Sequence, residues 1–167
     1  THLPGGLTVN PHAHLSVAYA VSGAEDLGAL NEHAHDPRED GFTLQGLELG
    51  TSFRAESYLE GFATYNVFLD SADDLDGELE EAFLKVVDLP LGIELRGGRF
   101  LNRFGFINAD HVHARDFVND NLPNARILGE EGLITDGGEI TVPVPVGKTF
   151  LSVSFGEALS HDHAHGH

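Results

Sequence analysis

The chain has 167 residues, a length suited to a single domain, and carries 27 acidic against nine basic side chains for a net charge of −18. That balance excludes nucleic-acid binding, which needs a basic face for phosphates, and adhesion to an anionic lipid surface. Cysteine is absent, so disulfides and thiolate metal sites are excluded, and no apolar run is long enough for a transmembrane helix. A membrane-crossing β-strand passes that test, because its signal is only about ten residues of alternation.

Residues 1–10 form a lead-in with glycine and proline. Methionine is absent, position 1 included, so the expectation is a chain that starts after processing, or a piece of a longer one. Residues 11–22 alternate, with Leu15, Val17, Tyr19 and Val21 on one face and His12, His14 and Ser16 on the other, the pattern of a half-buried strand. Residues 23–41 read as a long acidic loop. Residues 41–54 are a second strand whose apolar phase switches around Gly46, which predicts a β-bulge. Residues 57–70 alternate cleanly as a third.

Residues 78–89 have the composition of a helix, but the turn before them and the Pro90-Leu91-Gly92 turn after them predict a strand of a meander. A fifth strand follows over 92–104, then an irregular stretch over 105–136 with a helical turn near 114–118. Residues 138–146 alternate Ile140, Val142, Val144 and Val146 with Pro143 and Pro145, which predicts an edge or unpaired segment. After a tight turn at 147–148, the last strand covers 149–156, and residues 157–167 are a histidine tail. The predicted fold is all-β: one domain over 1–167, an antiparallel meander forming a small or partial β-barrel with long histidine-rich loops.

Every histidine but His2 sits in a His-x-His pattern: His12 and His14, His33 and His35, His111 and His113, and the tail His161, His163, His165 and His167. In an extended backbone, residues i and i+2 share a face, so each pair offers two imidazoles to one ion. Without thiolates, the chemistry favours zinc or copper held by imidazole, with Asp110 beside His111 as a carboxylate partner. The acidic run over 70–77 suggests calcium, but in the EF-hand register Phe83 falls where the bidentate acid belongs, which leaves a solvated hairpin turn as the stronger reading. His33, His35 and Glu39, with Gly46 beyond them, match part of a cupin metal motif, but its second half is missing. Arg96, Arg99, Arg103 and Arg115 are expected to pair with acids such as Glu48, Glu60, Glu80 and Glu94, either inside a lumen or on the surface. No nucleophile motif or phosphate loop is present, and no enzymatic activity is expected.

The order of several short motifs carries a family resemblance. Gly41-Phe-Thr-Leu-Gln-Gly-Leu-Glu-Leu-Gly50 is followed by Leu89-Pro90, Arg96-Gly-Gly-Arg-Phe100, Phe104-Gly105, Asn108, His111-Val-His113, Asp116-Phe117 and Gly129-Glu-Glu-Gly-Leu133. Over residues 40–156 this resembles the opening strands of bacterial outer-membrane β-barrels of the porin-like kind, described as zinc-regulated or similar to TonB-dependent receptors. The resemblance implies an envelope location and metal handling. Three functional readings follow: a non-enzymatic zinc- or copper-binding protein of the bacterial envelope or extracellular space, a barrel fragment passing cations, or a metal-stapled assembly of copies joined at strand edges.

Overall fold

The computed structural model describes residues 2–3, 6–21, 23, 40–69, 75–103, 108, 127, 133–146 and 149–158. They form one antiparallel meander of eight strands: β1 (His2–Leu3), β2 (Leu7–Ala20), β3 (Gly41–Ala55), β4 (Leu59–Leu69), β5 (Leu75–Val86), β6 (Glu94–Leu101), β7 (Ile134–Val146) and β8 (Thr149–Ala158). Each strand pairs with the next in sequence, and β1 is only a two-residue arm against Leu7 and Thr8. Among the described residues β8 does not pair with β1 or β2, so the predicted meander is an open sheet rather than a closed barrel.

The local rules explain most boundaries. The phase switch near Gly46 is a bulge: Ser16 pairs with Gly46 and Val17 with Leu44, leaving Gln45 as the extra residue. A second bulge leaves Glu80 extra, between the pairs Thr64–Glu81 and Tyr65–Leu79. The helix-prone stretch over 78–86 is strand, because β4 pairs along it and β6 pairs with residues 82–86, ladders that outweigh intrinsic propensity. Pro143 and Pro145 lie within β7, an interior strand that pairs with both β6 and β8. Its ladder with β6 ends at Thr141, so both prolines fall where that flank is unpaired. Strand β7 starts at Ile134, earlier than the alternation suggests. Asn108 fastens its entry: its amide nitrogen donates to the carbonyls of Asn102 (2.6 Å) and Leu133 (3.1 Å), and its oxygen accepts from the Leu133 amide (2.7 Å).

The two faces of the sheet reverse the ordinary arrangement. Register places Leu15, Val17 and Tyr19 of β2 beside Leu47, Leu44 and Phe42 of β3, with Leu49, Tyr65 and Leu79 in line across β3, β4 and β5. This outer face continues through Leu84 and Leu95 to Ile140, Phe155, Val153 and Leu151. It is exposed: Leu15 is 62%, Tyr19 63%, Phe42 81% and Phe155 66% accessible. The opposite face carries most of the buried polar residues, including Glu48, Thr64, Asn66, Glu81 and Thr135. The alternation in residues 11–22 was expected to bury its apolar side; here that side faces outward and the polar side lines the interior. Period-two alternation fixes two faces without saying which one is covered.

The connections are equally lopsided. Segments 21–40, 70–74 and 102–133 join strands at one end of the sheet, and 56–58, 87–93 and 147–148 at the other. Strand β8 runs toward the long-connection end, so the tail after Ala158 leaves the sheet there too.

Candidate functional site

The inner face divides into two sectors joined by a row of rings. The first lies on β2 to β5. His12 and His14 project on the same side of β2, as their spacing predicted, opposite Gly50 and Glu48 of β3. Gly50 gives His12 its place, since a Cβ there would collide with the imidazole. The His12 ring stacks on Phe62 at 5.7 Å and 16°, and its Nε2 is 3.4 Å from the buried Glu48 carboxylate. Asn66 pairs with Glu48 across β3 and β4 and lies over Gly46, where a Cβ would meet its amide. Its Nδ2 donates to Glu80 Oε1 at 3.1 Å, and the Thr64 hydroxyl reaches Glu80 Oε2 at 3.4 Å. Deeper in, Glu81 accepts a 2.8 Å hydrogen bond from the Leu101 amide. A cleft of about 10 Å³ lies among His14, Ser16, Gln45, Gly46, Glu48, Asn66 and Glu80.

From Phe62 the ring contacts run on to Phe83 (5.7 Å) and then edge-on to Phe100 (6.2 Å), which is fully buried. Gly98 makes room for Phe83: its φ is +131°, and a Cβ there would strike the backbone at Ala82 and Phe83. Arg96 ends the row. Its guanidinium lies 3.8 Å from the Phe100 ring centre and 5.4 Å from that of Phe83, and it donates to Glu139 at 3.0 Å. Lys85 pairs with Glu94 at 2.7 Å. These residues border an open concavity of about 620 Å³ floored by Thr135, Thr141, Ser152 and Ser154.

The expected arginine partners are largely replaced. Arg96 takes Glu139, its register neighbour on β7, and Glu94 takes Lys85. Arg99 pairs with Asp136 at 3.1 Å, but on the outer face, at the long-connection end of β6 and β7. Arg54 pairs with Glu60 beside the 56–58 turn, and that contact raises the guanidinium pKa further above its ordinary value. Arg115 lies outside the described residues.

Of the candidate metal ligands, His12 and His14 share the inner face with Glu48. His33, His35, Asp110, His111, His113, His161, His163, His165 and His167 lie outside the described residues, as do Asp70, Asp73 and Asp74 of the acidic turn. The segments bearing the other three histidine groups all connect to the same end of the sheet. Among the described residues no three His, Asp or Glu side chains converge as a direct metal site requires. No helix of the described residues is long and apolar enough to cross a membrane, which leaves strands untouched. Sequence reasoning missed Asn66, Glu139 and the Phe62–Phe83–Phe100 row. Parity along β4 already placed Phe62, Thr64 and Asn66 on one face, but their partners depend on register.

Comparison with known proteins adds one relative. An uncharacterized protein of Aquifex aeolicus (strain VF5) is 31% identical over 128 residues, which cover 77% of this chain and 25% of the relative. The chain thus corresponds to about a quarter of that protein's length. No family model matches, and no solved structure matches.

Proposed function

We propose that this chain is a wall segment of a transmembrane β-barrel in a bacterial outer membrane, its apolar face against lipid and its polar face lining an aqueous interior. The observation that carries this reading is the reversed burial: large apolar side chains exposed along the outer face of β2 to β8, glutamate, asparagine and threonine buried on the inner one. A water-soluble sheet buries its apolar face, whereas a barrel in lipid turns it outward. The strand lengths suit a bilayer: β2 to β5 and β7 have 11 to 15 residues, against the roughly 9–11 that a tilted strand needs to cross the hydrocarbon core. The two longest connections, 21–40 and 102–133, fall at one end, and only connections of two to seven residues fall at the other, which matches the asymmetry of outer-membrane barrels. The relative's greater length supports the same reading, since an open sheet cannot stand in lipid without further strands to pair its edges. Single-cysteine labelling in lipid vesicles tests it: outward positions report lipid, inward positions report water.

The reading extends to metal. Three of the four His-x-His groups belong to segments joined to the end with long connections, so the proposed role there is non-enzymatic capture of zinc or copper at the barrel mouth. A ligating imidazole must be neutral, so protons displace the ion. Elemental analysis of untagged protein is expected to find zinc or copper at neutral pH and its loss as the pH falls through roughly 6 to 5. Replacing His111 and His113 together by alanine is expected to remove about one equivalent in a one-site model. Unchanged metal content in that variant would remove the pair from the site.

A further inference from the structure

The concavity on the inner face of β5 to β8 is lined by three acids and three bases, yet its chemistry is not that of an ion site. Every acid is already answered: Glu94 pairs with Lys85 at 2.7 Å, Glu139 with Arg96 at 3.0 Å, and Glu60 with Arg54. A cation would have to displace one of those bases. An anion would have to take Lys85 or Arg96 from its carboxylate, in a chain whose net charge of −18 repels it. Separating Arg96 from Glu139 is the costlier step, since both side chains are largely buried. The third base, Arg103, is exposed, where solvent and salt screen its charge.

What the concavity offers instead is a continuous strip of donors and acceptors. The hydroxyls of Ser154 and Thr141 lie 2.9 Å apart, Thr141 reaches Glu139 at 3.5 Å, and Glu139 accepts from Arg96. Pairing does not exhaust these groups: the guanidinium and the Lys85 ammonium keep further N–H donors, and each carboxylate keeps further lone pairs. Gly156, the register neighbour of Glu139 on β8, puts no side chain over the strip. The half-buried Phe83 ring adds an apolar wall. A hydroxyl group both donates and accepts, so it can join such a strip without separating either ion pair. The volume, about 620 Å³, lies within the roughly 300–1,000 Å³ of small-molecule sites.

We propose that this concavity binds a neutral polyhydroxylated ligand, a mono- or disaccharide. Its hydroxyls meet the Ser154–Thr141–Glu139–Arg96 strip and the Lys85–Glu94 pair, and the C–H face of a ring lies against Phe83. The proposal rests on the barrel-wall reading, in that the inner face meets water, and deepens it by naming a solute class held there.

The test is saturation-transfer difference NMR on the full chain, in a detergent without a sugar headgroup, titrated with D-glucose and separately with D-glucuronate. Glucose is expected to bind saturably with a Kd of about 1 mM or somewhat above, and glucuronate to bind more weakly. Gly156→Leu, which sets a side chain over the strip, is expected to weaken glucose binding by about tenfold or more. Glu157→Leu, one residue along β8 and on the opposite face, is expected to leave it unchanged. The Thr141→Val/Ser154→Ala variant removes two hydroxyls without stranding a charge, and its expected loss is about tenfold. No saturable glucose binding, tighter binding of glucuronate, or full affinity in both Gly156→Leu and the hydroxyl variant would overturn the site. Absent glucose binding in a chain whose two sheet faces still label as lipid-facing and water-facing loses the site alone. Glucose binding with these variant effects, in a chain that labels as water-facing on both faces in vesicles, keeps the site and loses the membrane wall.

Discussion

Replacing Leu49 with arginine is expected to destabilise the vesicle-inserted protein by about 2–4 kcal/mol, the cost of a cation on the lipid face of a barrel near the bilayer midplane. Leu49 lies mid-strand in β3, between Ala13 and Tyr65, and its side chain is 49% exposed. In water, a substitution at so open a position normally changes stability by no more than about 0.5 kcal/mol. The two environments therefore give separable answers from one variant. Tyr58, 53% exposed in the 56–58 turn, is the control: arginine there is expected to stay within about 0.5 kcal/mol. Urea unfolding from vesicles reads both. Equal, small effects at the two positions would place the outer face in water.

The second large effect concerns Arg96. Its side chain is 8% exposed and that of Glu139 16%, and the guanidinium is held between this carboxylate and the Phe83 and Phe100 rings. Replacing Arg96 with leucine leaves Glu139 half-sealed, with only a long 3.5 Å contact from the Thr141 hydroxyl. Removing one partner of a buried pair costs about 3–5 kcal/mol, chiefly because the remaining charge is stranded. Removing both is far milder, since desolvation of the two charges had offset most of their attraction. The Arg96→Leu/Glu139→Leu double variant is therefore expected to recover most of the loss, and the double-mutant cycle over the four proteins isolates the pair. A single-variant effect below about 0.5 kcal/mol would mean that water already solvates the pair.

Much of this architecture was legible in the chain itself. Alternation marked the strands, Gly46 marked the bulge, and the turn residues around 78–92 decided strand over helix for a sequence with helical composition. These signals are local. The bulge at Glu80 escaped notice because its phase change, from Leu75 and Leu79 to Leu84 and Val86, carries no glycine and is blurred by Phe83 on the inner face; the pairs with Thr64 and Tyr65 make it plain. The arginine partners escaped because register sets them. Arg96 meets Glu139 because β6 and β7 pair in one register across an intervening segment of some thirty residues, and a slip of β7 by one residue would send Glu139 to the other face, away from Arg96. Covering was the least legible property. Leu15, Val17 and Tyr19 have the same spacing whether water, protein or lipid lies outside them, and only the burial of Glu48, Thr64 and Asn66 on the other face tells which side is inside.

The central claim is that the two faces of the sheet meet different solvents, and β4 tests it most directly. The chain has no cysteine, so a spin label on a single introduced cysteine reports one position without ambiguity. Labels at Ala63, Tyr65 and Val67 project outward, and labels at Phe62, Thr64 and Asn66 project inward. In lipid vesicles, the outward set is expected to be relaxed strongly by oxygen, which concentrates in the bilayer, and weakly by a water-soluble nickel chelate. The inward set is expected to show the reverse, giving a period-two alternation along the strand. Equal access of the nickel chelate to both sets would contradict the account.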